Sequence, residues 1–207
     1  MRYGIFSDVQ GNYEALERFF AETKDDIDQY FCLGDIVQNG TSYDDHRCID
    51  AVIKNGCLAV RGNHEEKVLA GSTNTGNKIA AKITPGNLEY LASLPLNHFF
   101  FNYYLIHAPF NERILTVEQA KEVFERLPAF IDICFFGHSH QPTLFCEDEQ
   151  RKITEIGLAG GMVSLKPHSR YLINPGGVGL YWNQLQTYMI FDDDSRYLHL
   201  KKLSGKK

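Results

Sequence analysis

The sequence lacks three features that would place it in a familiar functional class: a long apolar run, an excess of basic charge and paired cysteines. No run approaches the roughly 18 apolar residues that a transmembrane helix needs, so no membrane span is expected. Lysine and arginine number 21 against 26 acidic residues, which gives a net charge of −5. This balance argues against a nucleic-acid partner and against a polybasic protein of the membrane surface.

The five cysteines are odd in number and widely spaced, and no two of them form a CxxC pair. Most lie in apolar runs, which predicts reduced, buried thiols. The N-terminal apolar stretch is too short for a signal peptide, and the expected compartment is therefore cytoplasmic. The chain has 207 residues, 43% of them hydrophobic, with no linker or repeat, and it is expected to form a single domain over residues 1–207.

Strand and helix patterns alternate along the first 60 residues. Apolar strands are predicted over 2–7, 29–33 and 57–60, with helices after Asn12 and over 43–54. This order favours a mostly parallel sheet with helices packed on it. Beyond an exposed loop at 71–77, the patterns predict helices over 85–94 and 116–127, a β-rich stretch at 99–106 with a turn near Asn102, and strands over 131–136, 143–146, 152–156, 170–173, 186–191 and 196–203.

Residue types that bind metals follow several predicted strands. In chain order they are Asp8 and Gln10, Asp35, Asn63 and His64, His107, and His138 and His140. Ligands of open α/β sheets bind beyond the carboxyl ends of the strands, so these groups can converge. Carboxylate, amide and imidazole groups suit two divalent ions, Mn above all, with Fe, Ni, Zn or Mg as alternatives. Such a pair needs a bridging carboxylate, for which Asp35 is the natural candidate, and it activates water for phosphoryl displacement.

Each position also has a plain structural explanation. A single histidine after a strand is usually hydrogen-bonded for structural reasons, Asp8 and Asp35 are common turn residues, and the segment 62–65 is typical of a helix N-terminus. His138 and His140 alternate along the chain, and alternate residues of an extended segment point in opposite directions. Five predicted strands in succession are each followed by metal-binding residue types near a glycine, and this combination favours a metal centre over five separate structural roles.

The chain resembles the calcineurin-like metallophosphoesterase superfamily in five segments that occur in the family's order: SDVQGN at 7–12, LGDIV at 33–37, RGNHE at 61–65, IH at 106–107 and FGHSHQP at 136–142. Segments within 83–95, 172–179 and 187–192 are similar to a compact bacterial branch of phosphodiesterases and diadenosine-tetraphosphatase-like enzymes. The resemblance implies an α/β fold in which two mixed β-sheets pack face to face, with helices on the outer faces.

The resemblance also implies a role for each matching residue. It assigns a first metal to Asp8, Gln10, Asp35 and His140, and a second metal to Asp35, Asn63, His107 and His138. His64 would lie beside the metals without binding them, and would stabilise charge on the phosphoryl group or protonate the leaving oxygen. Asp35 and His64 are therefore the expected catalytic residues.

Gln10 departs from the family pattern, which has histidine at this position. A glutamine oxygen can bind a metal, but it is a weaker donor than imidazole. The hypothesis is that the first metal is bound more weakly and that Mn is favoured over Zn. The alternative is that Gln10 lies outside the ligand shell and that water takes its place.

These features predict a metal-dependent phosphoesterase that hydrolyses phosphodiesters or small nucleotide phosphates, by in-line attack of a hydroxide bridging two metals. The alternative is a catalytically weakened protein of the same fold that acts as a protein-binding scaffold, as a subunit of a eukaryotic membrane-sorting complex does. The change at Gln10 is a step in that direction. A nuclease is less favoured because of the acidic balance.

The sequence does not identify the substrate beyond a small phosphorylated compound. The loops at 38–47, 71–78 and 109–115 are expected to line the site. Candidates for substrate contact are Tyr43, His46, Arg61 and Arg113, and for each of them an ordinary surface role is the alternative. Apolar side chains at Tyr103, Tyr104 and Phe110 are compatible with a homodimer.

Overall fold

Twelve strands form two mixed sheets in a computed structural model of the chain, which describes residues 1–71, 83–179 and 185–205. The first sheet contains, in spatial order, β3 (Leu58–Ala59), β2 (Gln29–Cys32), β1 (Arg2–Phe6), β11 (Thr187–Asp192), β12 (Tyr197–Lys202) and β9 (Met162–Ser164). The second contains β4 (Asn97–Phe100), β5 (Tyr103–Ile106), β6 (Ile133–Phe136), β10 (Arg170–Pro175), β7 (Pro142–Glu147) and β8 (Ile153–Glu155).

Each sheet has three parallel strands at the part that carries the predicted site residues. In the first sheet β1 pairs in parallel with β2, and β2 with β3, whereas β11, β12 and β9 add antiparallel neighbours. In the second sheet β5, β6 and β10 are parallel. The expectation of a mostly parallel sheet therefore holds only for β1 to β3, because strands from the C-terminal part of the chain complete the sheet in the opposite direction.

Helices cover the outer faces of both sheets. Those in the described ranges are α1 (Tyr13–Thr23), α2 (Asp45–Lys54), α3 (Asn63–Leu69), α4 (Pro85–Ser93) and α5 (Val117–Arg126). The predicted cap of α1 is confirmed, since the Asn12 side chain accepts a hydrogen bond from the Ala15 N–H. The capping box of α5 is confirmed as well, with reciprocal bonds between Thr116 and Gln119.

Successive side chains of a strand point to opposite faces of its sheet, so each strand contributes both to the core between the sheets and to a core under the helices. Ile133 and Phe135 of β6 point into the apolar core between the two sheets, together with Tyr3 and Ile5 of β1. The intervening Cys134 and Phe136 lie in a separate cluster under α5, and Phe6 packs in a third cluster under α1 and α2. This is the predicted arrangement of two mixed sheets packed face to face with helices outside.

Several local predictions are confirmed and others need correction. The stretch 99–106 forms a hairpin of β4 and β5 with its turn next to Asn102, as expected. Strand β9 was not predicted, because its short sequence lacks a clear alternation. Tyr103 is 3% exposed, so it cannot contribute to the surface suggested for a homodimer, whereas Phe110 is exposed. Most of the loop expected at 71–78 lies outside the described residues.

Two further observations concern the cysteines and the possibility of a membrane span. All five cysteines are free thiols, and four of them are buried, as predicted. No helix in the described ranges has both the length and the apolar character of a membrane span.

Candidate metal centre

The predicted site residues follow the carboxyl ends of five parallel strands, and the fold brings these strand ends together. Asp8 and Gln10 follow β1, Asp35 follows β2, and the pair Asn63 and His64 begins α3 just after β3. From the second sheet, His107 directly follows β5, and His138 and His140 come after β6. The two sheets thus contribute side chains to one shared edge, as ligand sites of α/β sheets do.

Five of these residues have left-handed backbone conformations, which non-glycine residues rarely adopt. The φ angles are +54° at Asp8, +48° at Gln10, +54° at Asp35, +69° at His138 and +58° at His140. Such conformations persist only where the surroundings impose them, and they concentrate at functional sites. They also remove the objection that alternate residues diverge, because the segment containing both histidines is not extended.

Asp35 occupies the centre of the cluster. Its Oδ1 accepts the backbone N–H of His64 at 2.9 Å. Its Oδ2 lies 3.4 Å from Nε2 of His107 and 3.7 Å from Nε2 of His64. Asp35, His107 and His138 each present one ligand atom, and the three atoms lie within 4.8 Å of one another. This trio has the spacing of groups that hold one ion.

Asp8 and His140 form a second group of possible ligands beside that of Asp35, His107 and His138. Its Oδ2 accepts the backbone N–H of His138 at 3.0 Å, and its Oδ1 lies 3.3 Å from Nε2 of His140. Asp8 is completely buried, and its Oδ1 accepts no hydrogen bond from the described residues. A buried carboxylate oxygen without a donor is costly unless a cation balances it, so the site fits a positively charged ligand here.

Gln10 lies against this second group. Its amide nitrogen, Nε2, is 3.1 Å from Nε2 of His140, the atom expected to bind the first metal. In this rotamer Gln10 shields the imidazole, and a half-turn of the carboxamide would present its oxygen instead. The fold therefore places Gln10 at the site, within hydrogen-bond distance of His140.

The surroundings of His107 show the same need for a cation. Its Nδ1 donates to the Leu33 carbonyl at 2.7 Å, which leaves Nε2 facing the cluster. Nε2 lies 3.2 Å from Oδ1 of Asn63 as well as 3.4 Å from the Asp35 carboxylate. Three acceptor atoms converge at this point, and only a proton or a metal ion can hold them together.

The titration behaviour follows from this crowding. Burial acts to lower the pKa of His107, but the Asp35 and Asp8 carboxylates raise it to about 9. Burial and the charge of His107 lower the pKa of His138 to about 4. The pKa of Asp35 lies well below its usual range, because His107 and His64 outweigh the opposing effect of burial. Without a cation, a proton on His107 balances the buried carboxylates, and metal binding would release it.

Glu65 supports the centre from below, and sequence reasoning gave it no role. Its buried carboxylate accepts the backbone N–H groups of Asp35 at 2.9 Å, Val37 at 3.1 Å and Gly62 at 2.7 Å. It thereby ties the loop after β2 to the start of α3. The signal was present in the segment RGNHE, where a glutamate follows a glycine by three residues at a helix start.

Asn174 has a similar part in the second sheet. Its amide nitrogen donates to the Gly137 carbonyl at 2.6 Å and lies 3.0 Å from the Ser139 hydroxyl. These bonds hold the turn that carries His138 and His140. The segment 176–179, which follows β10, also lies beside the site, since Gly177 is next to Asp8 and His140.

A cavity of about 430 Å³ opens on the cluster. Gln38 and Asn39 line it from the loop 38–47, and Arg113 lines it from the loop 109–115, as expected for both loops. Lys67, from α3, also lines the cavity and was not predicted, because the pattern at 62–65 indicates a helix start but not where the later residues of that helix lie.

The other candidates for substrate contact lie elsewhere. Tyr43 and His46 are not among the described lining residues of this cavity. Arg61 donates to the carbonyls of Ala92 and Leu94, which gives it a structural task.

Comparison with known proteins agrees with this fold. The model of the calcineurin-like phosphoesterase superfamily domain matches residues 1–196. An uncharacterized protein of Methanocaldococcus jannaschii, MJ0912, is 31% identical, over 91% of this chain and 82% of that protein.

Solved structures show the same fold. A metallophosphoesterase from Sphaerobacter thermophilus superposes with a TM-score of 0.83 at 25% identity, over all of this chain and 90% of that one. The hypothetical protein PH1004 from Pyrococcus horikoshii superposes with a TM-score of 0.70 at 14% identity, over all of this chain and 89% of that one.

Proposed function

The chain belongs to the calcineurin-like phosphoesterase superfamily, and on that premise we propose that it is a dinuclear-metal-dependent phosphoesterase acting on phosphodiesters or small nucleotide phosphates. The observation that carries the proposal is the convergence of ligand atoms from Asp8, Asp35, Asn63 and His107, among which the fully buried Oδ1 of Asp8 accepts no hydrogen bond from the described residues. Divalent cations are the ligands that such a donor set suits, with Mn as the first expectation.

The residues would divide between two ions. Asp8 and His140, with Gln10 or a water, would hold the first, and Asn63, His107 and His138 would hold the second, with Asp35 shared between them. Divalent ions held by these residues would lower the pKa of a water ligand and neutralise phosphate charge. Asp35 is fixed for this task by the backbone N–H of His64, so it does not need to reorganise when a ligand binds.

His64 is placed to move a proton. Its Nδ1 donates to the Val37 carbonyl at 3.1 Å, so its second nitrogen, Nε2, is the one turned toward Asp35 and the cavity. Burial lowers the pKa of His64, while the Asp35 carboxylate acts to raise it. In the proposed hydrolysis a water that has lost a proton to solvent bonds through its oxygen to phosphorus, and the ester P–O bond breaks. The imidazolium form of His64, which the Asp35 carboxylate favours, gives its Nε2 proton to the leaving oxygen and regains one from solvent.

Two measurements test this function. Metal titration should find two Mn ions per chain, and Mn should stimulate hydrolysis of bis(p-nitrophenyl) phosphate. The variant Asp35→Asn should lose activity by at least a factor of about 100, since it removes a charge shared by both ions. The matched control Asp25→Asn, at an exposed position in the turn after α1, should behave as the parent does.

The same experiments address the scaffold alternative, which rests on glutamine at position 10 where the family has histidine. A protein that binds no metal, or that binds metal without hydrolysing the phosphate ester, supports the scaffold over the enzyme. Full activity in Asp35→Asn would contradict the assignment of the centre even if the protein hydrolyses the ester.

A further inference from the structure

The cavity above the metal centre is polar on every side that the structure describes. Within the described ranges its lining contains no aliphatic side chain and no Phe, Tyr or Trp, and its only rings are the imidazoles of the metal centre. Ligand sites for nucleobases or lipid chains are mostly apolar, so this space does not suit either group. At about 430 Å³ it is nevertheless large enough for more than a single phosphoryl group.

Two cationic side chains face this space from different elements. Lys67 lies on α3, one helical turn after Asn63, so the two side chains share one face of the helix. Arg113 comes from the opposite sheet, in the loop that precedes α5. Both are exposed, and neither forms an ion pair with an acidic group of the described residues.

The charge balance shows what these two residues add. Two divalent cations bring four positive charges to a centre whose carboxylates, Asp8 and Asp35, supply two negative ones. A single diester phosphate with an attacking hydroxide neutralises that excess. Lys67 and Arg113 then add two positive charges to a cavity whose described lining has no acidic side chain besides Asp35. A substrate with further negative charge beside the reacting phosphorus would complete the balance.

We propose that Lys67 and Arg113 form an anion-binding subsite that selects substrates with a second phosphate next to the scissile one, that is, esters of diphosphate or longer phosphate chains. The proposal rests on the proposed function for the reaction, and adds the substrate class. The polar cavity holds the phosphate chain, and the organic part of the substrate extends outside it.

Calorimetric titration of the Mn-loaded protein tests the subsite by binding alone. The probes are methylphosphonate, with one phosphorus centre, and methylenediphosphonate, with two and a bridge that does not hydrolyse. The parent protein should bind the diphosphonate at least about tenfold more tightly. In Lys67→Gln and in Arg113→Gln this preference should fall about fivefold each, and the double variant should nearly abolish it.

Matched controls are Lys121→Gln and Arg151→Gln, exposed residues that lie outside the cavity lining. Lys121 has a long ion pair with exposed Glu125, and Arg151 has one with buried Glu147. Both variants should retain the parental preference, since neither pair reaches the cavity. Metal content measured after each titration shows whether the diphosphonate has removed Mn, and samples that lost metal are compared at saturating Mn.

The outcomes separate the two proposals. A parent protein that hydrolyses the aryl diester, together with a double variant whose preference stays within twofold of the parent, overturns the subsite alone. Loss of the preference in the variants of a protein without any esterase activity supports the subsite and overturns the proposed reaction.

Discussion

Two glycines beside the metal centre differ in the space around them, and this difference predicts opposite outcomes for the same substitution. A Cβ added at Gly62 would lie 2.3 Å from Oδ1 of Asp35 and 2.5 Å from its backbone nitrogen. A Cβ added at Gly177 would meet nothing closer than 3.4 Å, where its neighbours are Asp8 and His140. Gly62 has φ −100° and ψ 178°, and Gly177 has no positive φ, so neither backbone resists alanine.

The expected loss of stability and activity in Gly62→Ala follows from the overlap between the added Cβ and Asp35. Ordinary contact begins near 3.4 Å, so the Asp35 carboxylate or the start of α3 must move by about 1 Å. Overpacking of this kind lowers the free energy of unfolding by about 1–3 kcal/mol. Since Oδ2 of Asp35 already lies 3.4 Å from His107, a displacement of this size separates groups that the centre needs together. A misplacement of about 1 Å reduces a rate by about 100-fold.

The assay compares Gly62→Ala, Gly177→Ala and the parent by Mn titration, hydrolysis of bis(p-nitrophenyl) phosphate and thermal unfolding. Gly62→Ala should bind Mn at least about tenfold more weakly and lose about 100-fold in kcat. Gly177→Ala should stay within about 0.5 kcal/mol in stability and within threefold in activity. Parental metal affinity and rate in Gly62→Ala would refute the assigned position of Asp35. Equal losses of metal affinity, rate and stability in Gly62→Ala and Gly177→Ala would refute the inference from the Cβ distances at the two glycines.

Three further predictions concern other contacts. Gln10→His should tighten binding of the first Mn about tenfold, because imidazole is the better donor, and equal affinities in a metal titration would contradict this. Burial raises the pKa of Asp45 to about 6, so the folded state holds its proton more tightly than the unfolded state and stability should fall by about 3 kcal/mol between pH 4 and pH 7. Urea unfolding of Asp45→Asn should not show that part of the decline, and an unchanged pH profile would disprove the assignment. Arg170→Met removes the 2.9 Å partner of buried Glu147 and leaves it only the 3.8 Å ion pair with exposed Arg151. It should lower the free energy of unfolding by up to about 3 kcal/mol, whereas a loss below about 1 kcal/mol in urea would count against this reasoning.

Most elements of the fold could be predicted because their patterns are local. The apolar periodicity of α5 and its capping residues Thr116 and Gln119 define that helix without reference to the rest of the chain. The order of strands could not be obtained in this way. Pairing of β1 with β11 joins residues about 190 apart, and no local pattern in Arg2–Phe6 states which strand will be its neighbour. The resemblance to a family supplied the two mixed sheets that periodicity alone did not.

In the metal centre, the identity of the ligand residues could be predicted from the sequence, but their geometry could not. Residue types and their places after strands were enough to nominate Asp35 and His107, because few other side chains bind metals. The residue types do not indicate that the backbone is left-handed at Asp35, or that the amide nitrogen of Gln10 lies next to His140. Lys67 was missed for the same reason, since its place in the cavity depends on α3.

The left-handed residues explain why so many ligand types can meet in a small volume. A strand that continued in extended form past Asp8 or Asp35 would carry successive side chains to opposite faces of the sheet. A left-handed turn directly after the strand instead reverses the chain, and the backbone N–H groups it exposes are used: that of His138 binds Asp8, and that of Asp35 binds Glu65. The strain at these positions, about 1–3 kcal/mol each, is offset by buried hydrogen bonds that form only in this conformation. The centre is therefore held by the fold before any cation arrives, and the unsatisfied oxygen of Asp8 marks where binding energy remains to be gained.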